Sequence, residues 1–193
     1  ANDARGGLCI ILTEVAAQEK PSIRAQVHAS LSALVAPHWA AVPYVLVTGH
    51  RRESFGEGIR QICDAITTLA RRHPDHRFVY PVHLNPNVRE HVHRSLAGLP
   101  NVRLIAPCGH AELIRRMRGS DLILSDSGGV QEEAPALGVP LLVLREKTER
   151  PEAIASGNAR LVGTDEQSIV AAVTRIVTDP AAAEGLEYNS SRI

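Results

Sequence analysis

From Tyr44 onward the chain repeats one pattern, a short apolar run followed by a longer amphipathic stretch. Tyr44-Val45-Leu46-Val47-Thr48, Phe78–Val82, Val102–Ile105, Leu122–Ser125 and Leu141–Leu144 read as strands, with Arg160–Val162 as a sixth. Between them Ile59, Ile62, Cys63, Ile66 and Leu69 recur at helical spacing and stop before Pro74. Val88–Leu96 (opened by Pro86), Glu112–Met117, Gly129–Leu137 and Glu166–Val177 read as further helices. Strands alternating with helices imply an α/β protein with a parallel sheet covered on both faces. Such sheets bind ligands outside the carboxyl ends of their strands. Functional residues are therefore expected just after Thr48, Val82, Ile105, Ser125 and Leu144.

The first 43 residues are less regular. Leu8–Leu12 suggests a strand, and Ser22–Val35 a helix with Ile23, Val27, Leu31 and Leu34 on one face. Pro37 and Pro43 mark a break before the regular region. The whole chain, 193 residues, suits one domain or a little more and can bury a core without disulfide or metal staples. Lys+Arg 21 balance Asp+Glu 21, so no basic face points to nucleic acid, and 3% aromatics offer little for base stacking. No apolar run approaches the ~20 residues of a membrane span, and the first residues do not read as a secretory signal. Cys9, Cys63 and Cys108 are far apart, which argues against a disulfide framework or a zinc site and fits a reducing cytoplasm.

Four strings carry chemistry at the expected edge. In Ser125-Asp126-Ser127-Gly128-Gly129-Val130-Gln131-Glu132-Glu133 a strand gives way to a helix. The glycines permit close approach to the backbone, and the helix start favours a phosphate. Ser127 can cap the helix or donate to a phosphate oxygen. Glu133, about one and a half turns in, can accept ribose hydroxyls. A tight turn with a serine cap explains the same residues without a ligand. In Thr48-Gly49-His50-Arg51-Arg52-Glu53, two guanidiniums suited to phosphate follow a histidine suited to proton transfer at a strand's carboxyl end, although a solvated loop is the plain alternative. His83, in Pro81-Val82-His83-Leu84-Asn85-Pro86, either meets a ligand or is simply hydrogen-bonded. Arg145-Glu146-Lys147-Thr148-Glu149-Arg150-Pro151-Glu152 is a charge run, notable for where it lies. His91 and His93 are two apart on a helix and face different ways. No carboxylate–histidine set has metal-ligand spacing, and no cysteine sits beside a base.

Taken together, Val47–Glu53, Pro81–Val88, Ser125–Pro135 and Thr148–Ala153 resemble the non-hydrolysing UDP-N-acetylglucosamine 2-epimerases in order and spacing. The resemblance covers about Tyr44 to Val177. It implies a Rossmann-like lobe of a two-lobed fold shared with nucleotide-sugar glycosyltransferases, here the C-terminal, nucleotide-binding lobe. It implies interconversion of UDP-GlcNAc and UDP-ManNAc by elimination and re-addition of UDP, without metal or redox cofactor. By position, Ser127, Gly128 and Gly129 would hold the diphosphate and Glu133 the ribose. His50 would lie near the leaving phosphate, and Arg51, His83 and Arg150 would line the site. Arg51 and His83 also match the neighbourhood of an allosteric UDP-GlcNAc in some members.

Cys108-Gly109-His110 stands where the family usually offers an aromatic near the uracil, and the family's Asn-Pro-Tyr-Gly stretch does not follow Thr178. The expected organisation is an N-terminal segment over 1–43, a UDP-binding lobe over 44–178 and a tail over 179–193. Forty-three residues are too few for a second lobe, and the carboxylate motifs proposed for C2 chemistry are not recognised among them. The expectation is therefore a C-terminal-lobe fragment or divergent member, binding UDP and UDP-N-acetylhexosamine and self-associating to cover its cleft face. The alternatives are a non-catalytic UDP-binding module and a glycosyltransferase lobe. The Gly-His-Arg-Arg-Glu and Thr-Glu-Arg-Pro-Glu strings count against the last.

Overall fold

The computed structural model describes residues 44–49, 56–155, 157, 159–179 and 182. The strand and helix expected before Pro43, and Cys9, lie outside them, as do His50 and Arg51 of the candidate site. The described chain alternates strictly: β1 (Tyr44–Thr48), α1 (Glu57–Arg72), β2 (Arg77–Pro81), α2 (Pro86–Leu96), β3 (Val102–Ile105), α3 (His110–Arg118), β4 (Leu122–Ser125), α4 (Gly128–Ala136), β5 (Leu141–Val143), α5 (Pro151–Ala155), β6 (Ala159–Leu161) and α6 (Glu166–Thr178). The strands form one six-stranded sheet in the order β3-β2-β1-β4-β5-β6, every pair parallel. This is the doubly wound, Rossmann-like order. From β1 the chain steps outward to β2 and β3, then crosses back to β4 and steps outward the other way. Right-handed crossovers in opposite directions put helices on opposite faces.

The burial pattern follows. Val45, Val47, Leu122, Leu124, Leu142 and Leu144 point to one side and join a single core cluster. That cluster includes Ile59, Ile62, Ile66 and Leu69 of α1, Val88, Val92 and Leu96 of α2, and Ile169 and Val173 of α6. The intervening Leu46, Ile123, Leu141 and Val143 are equally buried on the other side. Alternation along a strand with both faces buried is what makes these strands uninterrupted apolar runs. Fully burying one such side chain is worth about 1.5–3 kcal/mol.

Polar groups close the turns. Buried Asn101 donates its amide to the carbonyls of Ala70 and His76 at 2.9 Å and of His73 at 3.2 Å, tying the end of α1 to the start of β3. Asn85 caps α2 by accepting from the Asn87 N–H at 3.0 Å, with Pro86 opening the helix as its φ favours. At the start of β1 the Tyr44 N–H donates to Asp121 and its hydroxyl to the Arg116 carbonyl. The structure differs from the sequence reading at several element bounds. β2, α4 and β6 each lie one residue earlier than expected and β5 ends at Val143, although the Val82 N–H still bonds the Ile105 carbonyl at 2.9 Å and the Val162 N–H the Val143 carbonyl at 3.0 Å. The charge run Arg145–Glu152, for which no helix is expected, contains the first residues of α5. Among the described residues no helix is long and apolar enough to cross a membrane.

Candidate functional site

Strand order reverses direction between β1 and β4, and ligands of open α/β sheets bind in the crevice at such a point. The two strand ends are joined there by hydroxyls. Thr48 Oγ1 donates to Ser125 Oγ at 2.6 Å, and the Ser125 hydroxyl also accepts the Ser127 N–H at 3.0 Å. The Asp126 N–H bonds the Thr48 carbonyl at 3.2 Å, and the Leu144 N–H bonds the Ser125 carbonyl at 2.9 Å. Thr48, Ser125 and Asp126 are all buried. These bonds place the next residues, half-buried Ser127 and Gly128 and exposed Gly129, at the carboxyl edge of the sheet.

Ser127 occupies the N-cap of α4, but its hydroxyl makes no capping hydrogen bond. Of the two uses open to it from sequence, the structure does not display the capping one. Gly129 is equally informative. Its φ is not positive, and a Cβ placed on it would meet nothing nearer than Ser127 Oγ at 4.0 Å. Neither backbone conformation nor packing within this lobe requires glycine there. Free N–H groups and the positive end of the helix dipole favour an anion at this edge.

On the β1 side, Gly49 is in contact with the lobe itself. The buried Tyr80 hydroxyl donates to the Gly49 carbonyl at 3.1 Å, and a Cβ on Gly49 would come within 3.1 Å of that same oxygen. Burial pushes the Tyr80 phenol well above its ordinary pKa, so it stays a neutral donor. Gly49, the last described residue after β1, is therefore held at a fixed point.

Glu133, on α4, pairs with His110 at the start of α3: Nε2 to Oε1 is 2.7 Å. The carboxylate side chain is 20% exposed and the imidazole 49%, so the pair lies at the rim with Glu133 the deeper partner. Arg150 donates from Nε to Glu132 Oε1 and from Nη1 to the Glu149 carbonyl. The bond to Glu132 raises the guanidinium pKa further. The structure thus brings Ser127, Gly128, Gly129, Glu133 and Arg150 around one helix. His83 lies past the end of β2, exposed, its Nδ1 accepting the Asn85 N–H at 3.1 Å. Sequence reasoning missed two partners: His110, which closes on Glu133 from 23 residues away, and Gln131, buried within α4. His110 follows β3 at the very edge where ligand residues were expected, and that was the available signal. Among the described residues no group of three His, Cys, Asp or Glu is placed to hold a metal ion.

A glycine-lipped helix start at the switch point is shared by many nucleotide folds, and comparison with known sequences narrows the choice. The sequence model of the family described as UDP-N-acetylglucosamine 2-epimerase matches residues 11–191. The chain belongs to this family. The UDP-N-acetylglucosamine 2-epimerase of Escherichia coli K12 is 57% identical over 135 residues, which are 70% of this chain and 36% of the relative. That of Yersinia pestis is 56% identical over 138 residues, 72% and 37% of the two chains. The chain thus spans little more than a third of these 2-epimerases. Among solved structures, the Neisseria meningitidis UDP-GlcNAc 2-epimerase, described as bound to UDP-GlcNAc, superposes with a TM-score of 0.84 at 40% identity, covering 94% of this chain and 47% of that one. The C-terminal domain of a Francisella tularensis glycosyl transferase of group 1 shares the fold, with a TM-score of 0.62 at 16% identity over 77% and 84% of the two chains.

Proposed function

We propose that this chain is the nucleotide-binding lobe of a UDP-N-acetylglucosamine 2-epimerase. The single observation that carries the reading is the open N-terminus of α4 at the switch point: an uncapped Ser127 hydroxyl followed by a glycine whose missing side chain the lobe does not need. The Ser127 hydroxyl and the N–H groups of Gly128 and Gly129 hold the diphosphate, and Glu133 accepts the ribose hydroxyls. His50 stands near the leaving phosphate, where a proton or positive charge eases departure of UDP. Arg51, His83 and Arg150 line the surroundings.

In the reaction, the bond from C1 of the sugar to the phosphate oxygen breaks as C2 loses its proton, leaving UDP and a 2-acetamidoglucal. Return of the proton to the opposite face of C2, with UDP re-adding at C1, gives the epimer. The diphosphate grip acts on the charge that grows on UDP as the bond breaks, where preorganised donors count most. Carboxylates for the C2 proton belong to the other lobe in the family resemblance. Self-association covering the cleft face completes the proposal and is read by light scattering.

Calorimetry with UDP beside a coupled epimerase assay tests this. The expected result is UDP binding with poor turnover by the chain alone. Absence of UDP binding refutes the site, and brisk turnover refutes the need for a second lobe. A second reading, a UDP-sugar-binding module without catalysis, is favoured by one observation: the aligned region is only 36–38% of the length of its curated relatives. Addition of a separately supplied N-terminal lobe separates the two, since only the first reading expects turnover to rise.

A further inference from the structure

Gln131 is 0% exposed, an amide fully enclosed in the second turn of α4, between the residues assigned to the diphosphate and the one assigned to the ribose. Helix packing does not call for an amide there. Val130 and Ala134 supply the apolar contacts of that part of the helix, and a leucine or methionine would fill similar space. A buried amide is costly unless its polar atoms are paired, and those of Gln131 are paired to two different loops. Nε2 donates to the Ser127 carbonyl at 3.2 Å, the same carbonyl that receives the Gln131 backbone N–H at 3.3 Å. Oε1 accepts from the Thr148 hydroxyl. The Thr148 oxygen in turn accepts the Arg150 N–H at 2.9 Å, and the Arg150 guanidinium returns to α4 through Glu132. The orientation of the amide is determined by its partners, because a carbonyl can only meet the NH₂ end and the hydroxyl donor the oxygen.

We propose that Gln131 is a positioning residue for the nucleotide site: it locks the Ser127 turn and the Thr148–Arg150 segment into one preset unit. The inference rests on the nucleotide reading above and adds to it the element that couples its two loops. A hydrogen-bonded network anchored on a buried amide specifies one arrangement where an apolar contact tolerates several. The ligand then meets donors already aimed, rather than ordering two loops itself.

The test uses the full chain with Gln131→Met, Thr148→Val and Thr148→Ser, UDP as the probe, and hydrogen exchange as a second readout. In Gln131→Met the backbone amides of 127–131 and 145–150 are expected to lose protection together, with the β1–β4 ladder unchanged. UDP affinity is expected to fall about tenfold in Gln131→Met and in Thr148→Val, the loss of roughly one well-made hydrogen bond. Thr148→Ser, which restores the hydroxyl, returns it to within about twofold. Unchanged exchange in the 145–150 segment overturns the proposal, as does Thr148→Val binding UDP like the wild type. If Gln131→Met does not fold, the Thr148 pair decides alone. If the wild type itself binds no UDP, the nucleotide reading fails, and joint loss of protection still upholds the coupling while independent loss overturns it.

Discussion

Helices α4 and α6 both follow strands of the same sheet, and the chain enters them through nearly the same backbone geometry. Ser127 lies at φ −79°, ψ 132° and Asp165 at φ −65°, ψ 130°. There the likeness ends. The Asp165 carboxylate accepts the Ser168 N–H at 2.8 Å, completing the first turn of an amphipathic helix that buries Ile169, Val170, Val173 and Ile176. Ser127 makes no such bond, and two glycines follow it where each costs about 1 kcal/mol of helix propensity against alanine. One helix start is finished by its own side chain and serves the fold. The other is left open at the switch point, and its stability comes from elsewhere: buried Gln131, the Ser125 hydroxyl and the packing of Val130 and Ala134. Donors that a structural helix would satisfy internally have no side-chain cap at this helix start.

Crossing the two helix starts by mutation gives the sharpest separation. Gly129→Leu fills the open lip, and UDP affinity in calorimetry is expected to fall by about 100-fold or more, with the circular dichroism of the lobe unchanged. The milder Gly129→Ala is expected to raise stability toward denaturant by about 0.5–1 kcal/mol while still weakening UDP. An unchanged affinity in both would remove the argument from the missing side chain. Next in size, Glu133→Gln is expected to weaken UDP about tenfold and to erase discrimination between UDP and its 2′,3′-dideoxy analogue, because the paired ribose acceptor is gone. Discrimination that survives would move the ribose contact elsewhere.

At α6 the readout reverses. Asp165→Ala is expected to lower the melting temperature and leave UDP affinity as it was. The backbone hydrogen bond from Ser168 holds the Asp165 carboxyl below its ordinary pKa. Its contribution is therefore present above the ordinary aspartate range and is lost as pH falls through the lowered value. Asp165→Asn keeps an acceptor and should flatten that acid-side loss in melting curves recorded against pH. Smallest of all, His110→Ala is expected to change UDP affinity by about two- to threefold, as suits a rim pair half open to water. A larger effect would make His110 a direct ligand contact.

Much of this lobe was legible in the sequence because its strands are buried on both faces. Val45–Val47 and Leu122–Leu124 read as unbroken apolar runs, and the structure places β1, β3 and β4 at the expected residues. The sheet edge proposed for the nucleotide follows from the same parallel topology, since such sheets bind ligands at the carboxyl ends of their strands. What stayed hidden depends on contacts distant in sequence or on polar residues used as core. Nothing in the local sequence gives Gln131 a buried role until its partner Thr148, 17 positions on, is placed. His110 and Glu133 meet only because α3 and α4 pack together. The five residues of α5 were masked by the charges around them, which suit a solvated loop equally well.

The tyrosines that anchor the ends of β1 also give the lobe a built-in alkaline limit. Tyr44, at the start of the strand, is pushed up to about 12, chiefly by burial, and Tyr80, beneath Gly49 at the other end, is shifted further in the same direction. Both phenols hold their protons in the folded lobe at a pH where an unfolded chain would surrender them. Stability from these groups is intact below pH 10 and drains away as pH climbs toward 12. The ultraviolet signal of phenolate formation from these two of the chain's three tyrosines, read in a Tyr188→Phe background, should therefore appear late and cooperatively with unfolding, so that the central strand reports its own release in a spectrophotometer without an added dye.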